Sequence, residues 1–390
     1  MIPFCSRASK NNEEGMRECR KAAYGLEEEL KRIRGELHGL AELSGREERT
    51  AEYLARFCRR RGWKVVFHED IHALTADIGE GSERTALRAD MDALPAPGGA
   101  AHLCGHDMHM TMALGAGMVL EKLDVPARLL FQPREEAPPG GALLLVERGA
   151  LEGVGAVFGL HVEPMIETGR VITRRGPFLA AADNFEVELR GEGGHAAAPH
   201  RANDLVLASA AVVVAAQALV SRFTDPVEAA VVSFASVEAG GNYNVLPSRA
   251  LLRGTIRSYS EELQRSLFER LEETARHAAV IYGARAASRR FEGYPPLVNH
   301  AREVELGGRV YAGLFGEDGF EGDHPPLMFG EDFGYYLKER PGAFFMIGAS
   351  PGEGARPLHN VEVEFDEAVL PMGAAFLAAL AAARAGRSEG

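Results

Sequence analysis

Cysteine and tryptophan are scarce in this chain, with four of the first and one of the second in 390 residues. Cys5, Cys19, Cys58 and Cys104 lie far apart in a long sequence, which speaks against a disulfide framework and fits a reducing compartment. Positive charge is also in deficit, 43 Lys and Arg against 56 Asp and Glu, for a formal net charge of -13. Phosphate backbones and anionic membranes are held by clustered cations, so neither nucleic acid nor a membrane is an expected partner, and a small molecule becomes the default. Residues 1–20 contain no apolar run of the length of a secretory signal, and Asn11 to Glu14 is polar throughout, which points to a cytoplasmic chain. The longest apolar stretch, residues 205–220, is interrupted by Ser209 and Gln217 and falls short of a membrane span, so it reads as a buried helix.

What is present is enough apolar sequence for more than one core. Between residues 64 and 160, short β-rich runs alternate with helix-like segments, the rhythm of an open α/β sheet. Strands are predicted over residues 64–68, 73–78, 85–89, 127–131 and 156–160, and helices over 49–60, 109–123 and 141–147. From Asn184 the rhythm changes to strand (185–189), helix (204–220), strand (227–238), strand (249–257), helix (261–282) and strand (284–291). This βαββαβ order is that of a split, ferredoxin-like unit, compact enough to be inserted in a larger domain. After Tyr294 the α/β style returns, with a strand at 343–347 and a closing helix from about residue 366. The expected division is therefore one interrupted domain, 1–180 with 293–390, around an insert at 181–292.

Three apolar strands run into metal-competent residues: Asp90 and Asp92, Glu135 and Glu136, and His161. Sites in open α/β sheets gather at the carboxyl ends of strands, so these groups are expected to converge. Between the first two strands stands Cys104-Gly105-His106-Asp107-Met108-His109, just before an apolar helix. A Cys and a His two apart in a loop or extended chain can face one ion, and thiolate with imidazole suits a borderline-soft divalent metal. By itself the same stretch also reads as a buried Cys and a helix-capping Asp107. Glu135-Glu136 alone would be a solvated loop; beside a cationic site, one is suited to ligation and the other to taking a proton from water.

Leu87-Arg88-Ala89-Asp90-Met91-Asp92-Ala93-Leu94-Pro95, Cys104-Gly105-His106-Asp107, Phe131-Gln132-Pro133-Arg134-Glu135-Glu136 and Gly159-Leu160-His161-Val162 stand in that order. They closely resemble the amidohydrolase and aminoacylase branch of the two-metal carboxypeptidase family, which includes hippurate hydrolases, auxin-conjugate hydrolases and N-acetyldiaminopimelate deacetylases. The likeness continues through Gly194-His195-Ala196-Ala197-Ala198-Pro199-His200, Asn244-Val245-Leu246-Pro247, Gly254-Thr255-Ile256-Arg257, Gly330-Glu331-Asp332-Phe333 and Leu358-His359-Asn360. It runs from about His38 to the final helix; the segment before about Gly25 has no counterpart.

The resemblance implies a mixed-sheet, metallopeptidase-like α/β catalytic domain with the insert as its lid or dimerisation domain. It implies two divalent ions per chain, of zinc, manganese, cobalt or nickel, held by Cys104, His106, Glu136, His161 and His359. Glu135 is then the general base, and His195 the second catalytic residue, helping to hold the developing oxyanion. Asn244 and Arg257 bind substrate, and homodimerisation runs through the insert. Asp90 and His109 are expected to support the ligands from behind, while His102 stays structural.

The implied reaction is hydrolysis of the amide bond of a small N-acyl amino acid. A dipeptidase or carboxypeptidase would use the same metals, and a silent metal- or metabolite-binding protein is the reading from another class; Glu135, which a structural metal site does not need, speaks against the latter. Two departures stand out. Only Ala96 to Leu103 separate Leu94-Pro95 from Cys104, where the family has a longer acidic and aromatic segment, and Ala41 replaces the usual Pro before Glu42-Leu43. The first bears on substrate choice, the second on a turn.

Overall fold

The computed structural model describes residues 5–385, in two compact units. One unit comprises the chain up to Gly176, then Val298–Pro325, then the chain from Asp332; the other comprises Pro177–Leu297 and Pro326–Glu331. These boundaries lie a few residues from those expected, and the return of Pro326–Glu331 to the second unit carries no mark in the linear pattern.

The first unit is built on an eight-stranded mixed sheet in the order Lys64–His68, Ala73–Ile78, Ala127–Gln132, Arg84–Asp90, Val154–Glu163, Gly342–Gly348, Val171–Ile172, Phe320–Glu321. The four strands from Ala127–Gln132 to Gly342–Gly348 are mutually parallel, and Ala73–Ile78 joins them antiparallel. Parallel strands are covered on both faces, and Gly342–Gly348 is accordingly buried at every residue.

The helix His106–Lys122 is buried from His106 through Leu120, and it packs against the C-terminal helix Val369–Ala385 and against Glu27–His38. A helix enclosed on all sides holds its first turn rigidly, and this one carries His106 and His109. It begins three residues before the predicted start, whereas the closing helix begins at Val369, three after. Four α-helices of the described residues went unpredicted: Cys5–Tyr24, Glu27–His38, Ala301–Phe315 and the short Gly334–Glu339. The second of them shows its apolar stripe plainly, Leu30, Ile33 and Leu37, all buried.

The second unit carries an antiparallel four-stranded sheet in the order Ala230–Ala239, Arg249–Ser258, Ala181–Arg190, Arg285–Tyr294. In chain order this is 2-3-1-4 of a βαββαβ unit. Phe185, Val187 and Leu189 alternate inward and meet Val212, Leu219, Leu267 and Leu271 from the two helices. Both helices are capped: the Asp204 carboxylate accepts the Leu207 N–H at 3.0 Å, and Ser260 Oγ accepts that of Leu263 at 3.3 Å.

The first of these helices corrects the sequence reading. It runs Leu205–Phe223, 19 residues, with length and apolarity that pass for a membrane span, and about a third of its apolar window is buried (33%). Val206, Leu207, Val214 and Phe223 stay exposed. Its interruptions, Ser209 and Gln217, do not shorten it, because both side chains donate to carbonyls one turn back, of Leu205 and Val213.

Candidate metal centre

Strand register sets two of the anticipated residues, Asp90 and His161, on one row of the first unit. Asp90 pairs with Gln132 on one side, and Arg88 with Gly159 on the other, so Asp90 stands level with His161. His161 belongs to the strand Val154–Glu163 rather than following its end, and Glu135-Glu136 sits just beyond Ala127–Gln132. The Cys104-Gly105-His106 segment is a turn, not the loop or extended run expected. Gly105 is left-handed at φ 82°, His106 opens the helix, and a side chain at Gly105 would place its Cβ 2.4 Å from Val162 Cγ2.

Cys104, His106, Glu136, His161 and His359 are thereby gathered. Cys104 Sγ lies 3.5 Å from His161 Nε2 and 3.3 Å from His359 Nε2. Glu136 Oε1 lies 3.2 Å from His359 Nε2 and 3.9 Å from His106 Nε2. Ligand atoms within 4.8 Å of one another form the groups Cys104–His106–His161, Cys104–Glu136–His359 and His106–Glu135–Glu136. Cys104 joins the first two and Glu136 the last two. His359 is the one exposed member, and its backbone N–H is tied to the Leu103 carbonyl at 2.9 Å, beside Cys104.

The hydrogen bonds behind the rings decide which lone pairs point inward. His106 Nδ1 donates to the Asp92 carbonyl at 2.8 Å and His161 Nδ1 to the Val162 carbonyl at 2.7 Å, which turns each Nε2 toward the cluster as the nitrogen whose lone pair an ion would take, any proton there being displaced. His106 Nε2 and Glu136 Oε1 are buried and have no hydrogen-bond partner among the described residues. An orphaned imidazole nitrogen and an orphaned carboxylate oxygen converging with a thiol and two more imidazoles fit divalent cations.

The field of the site agrees. Burial alone would lower the His106 pKa, yet Asp90, Asp92 and Glu136 push it up to about 10. Burial, then Glu136, Glu135 and Asp90, raise the Cys104 thiol well above its ordinary value. Near neutral pH both groups therefore hold protons that a cation must displace. Metal affinity should accordingly strengthen by roughly tenfold per pH unit for each proton released, weakening as pH falls. Titration of the metal-free protein with zinc between pH 6.5 and 8.5, by calorimetry in buffers of different protonation enthalpy, reads the proton count; pH-independent affinity would refute this account.

His109 is adjacent to the cluster but spent. Its Nδ1 meets Asp90 Oδ1 at 2.6 Å and its Nε2 accepts the Val162 N–H at 2.9 Å, so no lone pair remains for an ion. Burial lowers its pKa despite Asp90, and it is a neutral strut between two strands. Complete burial opposes the charge of Asp90, but Arg88, His106 and His109 hold it well below the ordinary carboxylate range.

The contacts that support the site escaped the sequence reading, which passed over Arg88 as a separate candidate and named Asp92 only as metal-competent, Asp107 as a helix cap and His102 as structural. Arg88, buried, donates to Gln132 Oε1 at 2.9 Å, Asp90 Oδ2 at 2.6 Å and Asp332 Oδ1 at 2.8 Å. Its signal was a charge two residues from Asp90 in an apolar strand, hence on the same face. Asp92 accepts the backbone N–H of Glu135 at 3.0 Å on one oxygen and that of Glu136 at 2.9 Å on the other. Asp107 caps no helix from outside; it takes His38 Nδ1 at 2.8 Å and Arg34 Nε at 2.9 Å, binding Glu27–His38 to the ligand helix. His102 is buried, and neither ring nitrogen has a hydrogen-bond partner among the described residues.

His195, Asn244 and Arg257 all belong to the second unit. His195 pairs with Val245 in a two-residue ladder, and its Nδ1 accepts the Ala197 N–H at 3.1 Å, leaving Nε2–H as an exposed donor. His195 and Asn244 line one cleft of about 640 Å³. Arg257 is half-buried in the strand Arg249–Ser258 and has no ion pair among the described residues. Burial disfavours its charge, offset in part by Asp183.

Residues 86–383 match the family described as peptidase family M20/M25/M40. The chain is 33% identical over 374 residues to N-acetyl-L-cysteine deacetylase of Bacillus subtilis (strain 168), covering 90% of this chain and 87% of that protein. It is 34% identical over 372 residues to IAA-amino acid hydrolase ILR1-like 4 of Arabidopsis thaliana, covering 90% and 84%. The crystal structure of a dinuclear metal-binding peptidase of the M20 family from Bacillus subtilis superposes with a TM-score of 0.79 at 27% identity, covering 93% of this chain and 99% of that one.

Proposed function

This chain belongs to peptidase family M20/M25/M40, and from that premise we propose that it is a metal-dependent amidohydrolase that splits the amide bond of small N-acyl amino acids. The observation that carries the reading is the pair of three-residue groups sharing Cys104, with Glu135 beside them. Cys104, His106, Glu136, His161 and His359 would hold two divalent ions. The mixed thiol, imidazole and carboxylate set suits zinc, manganese, cobalt or nickel. When bound, such ions supply Lewis-acid polarisation of the carbonyl and make a water acidic near neutral pH.

The remaining steps fall to the chain's own groups. Glu135 takes the proton of the attacking water, a C–O bond forms at the carbonyl carbon, and the proton passes to the leaving nitrogen as the C–N bond breaks. The new acid's remaining proton passes to the amine, and a carboxylate and an ammonium group leave. The Nε2–H of His195 is of the right kind to donate to the oxyanion that develops on the carbonyl oxygen. Asn244 shares its cleft and is assigned to substrate binding.

Arg257 is assigned to the substrate carboxylate. A charge-assisted pair of this kind contributes about 1.5–3 kcal/mol, which corresponds to roughly a tenfold to hundredfold change in kcat/KM. Arg257→Ala should lose that much on an N-acyl amino acid and little on the matching amide, which has no carboxylate to bind. The four rates form a double-mutant cycle; equal losses on acid and amide would remove the assignment. The reading as a whole is tested with metal-reconstituted protein on N-acetyl amino acids and dipeptides. Turnover confined to dipeptides would replace it with a dipeptidase.

A further inference from the structure

Glu47 is fully buried at the start of the helix Glu48–Arg60, far in sequence from every candidate ligand. It stands in the N-cap position, yet its side chain caps nothing. Its Oε1 instead accepts two backbone N–H groups, of Gly45 at 2.8 Å and of Arg134 at 2.8 Å. Arg134 immediately precedes the carboxylate pair and has φ 58°, a left-handed conformation that a bulky residue adopts only when its surroundings impose it.

The N–H groups of Arg134, Glu135 and Glu136 thus fall in sequence on Glu47 Oε1, Asp92 Oδ1 and Asp92 Oδ2. Ser44 Oγ donates to Asp92 Oδ2 at 2.6 Å, so the residues just before the Glu48–Arg60 helix reach both carboxylates. Arg134 also closes the loop from the other side, its guanidinium donating to the Ala137 and Pro138 carbonyls, each at 3.1 Å. Burial and the neighbouring Asp92 push the Glu47 carboxyl up to about 7, so the pair of acids is kept together against repulsion.

We propose that Glu47 is a positioning residue for the reaction: by accepting the Arg134 N–H it holds that residue left-handed and so aims the Glu135 carboxylate. The inference rests on the reading of Glu135 as the general base. Glu47 Oε2 is buried and has no hydrogen-bond partner among the described residues. The site therefore asks Glu47 for one accepting oxygen, which glutamine also offers.

Glu47→Ala leaves the Arg134 N–H buried without its acceptor, and the segment relaxes. Misplacing a catalytic group by about 1 Å costs on the order of a hundredfold in rate. The expected result is a fall in kcat of roughly tenfold to hundredfold, with KM and bound metal close to wild type. Glu47→Gln should restore kcat. Hydrogen exchange gives a second readout that needs no substrate: the amides of Arg134, Glu135 and Glu136 should exchange on the order of tenfold faster or more in Glu47→Ala, and at the native rate in Glu47→Gln. A native kcat in Glu47→Ala, unchanged exchange in that segment, or a Gln variant as slow as Ala each overturns the proposal. A wild-type protein that leaves N-acyl amino acids intact overturns the proposed substrate class instead, and the exchange rates still judge the clamp.

Discussion

Glu135→Gln should keep its metal and lose turnover by about 10²–10⁴-fold, the range of a general acid–base group, whereas Glu136→Ala should lose metal first and activity as a consequence. The two residues are adjacent and their N–H groups share Asp92, so the contrast isolates what each carboxylate does. Glu136 Oε1 stands between His359 and His106 and is buried with no hydrogen-bond donor among the described residues, the situation of an oxygen meant for a cation. Glu135 shares a group with His106 and Glu136, close enough to accept a proton at the same centre. Metal content by elemental analysis and kcat on one N-acyl amino acid, for both variants, decide the matter. A Glu135→Gln protein with full metal and near wild-type turnover would remove the base assignment.

Arg88→Met should be the most destabilising substitution near the site. Removing one partner of a buried ion pair costs about 3–5 kcal/mol, because the opposite charge stays buried without compensation. Here two carboxylates, Asp90 and Asp332, and the Gln132 amide lose their shared donor. At roughly 2–4 °C per kcal/mol for a domain of this size, Tm should fall by about 10 °C. Arg88→Lys keeps a charge but not the planar fork that serves three acceptors, so its loss should be intermediate. Metal affinity should fall as well, since Asp90 fixes His109 and lies 3.6 Å from His106 Nε2. A Tm within about 2 °C of wild type would show that the buried pair is dispensable.

Most of the sheet was legible because its central strands are short, apolar and bounded by polar or glycine-rich turns. The strands Lys64–His68 and Ala73–Ile78 and the helix Gly141–Glu147 fall on the predicted residues. Less legible were helices whose apolar stripe is diluted by charge, such as Glu27–His38, and the extent of Leu205–Phe223, where polar side chains satisfied within the helix look like breaks in the sequence. Clustered ligand types and the strand ends pointed to the centre. Its supports were less legible: Asp92 was marked as metal-competent and not as the acceptor of the Glu135 and Glu136 N–H groups, and Glu47 and Arg88 passed unmarked, because they act through backbone amides and buried carboxylates that ordinary strands and caps also contain.

The sequence by itself determined the alternation that builds the sheet, the kinds of ligand available and their order along the chain, and it marked the Cys104-Gly105-His106 turn with the residue its geometry demands. Tertiary structure alone decided which of those groups face an ion. His106 and His109 stand one turn apart on the same helix, yet one keeps a lone pair for the cluster and the other has none. The difference lies in partners brought from Asp92, Asp90 and Val162 by the packing of separate strands. Whether an imidazole is a ligand or a strut depends on which nitrogen is already hydrogen-bonded, a property of the assembled neighbours and not of the residue.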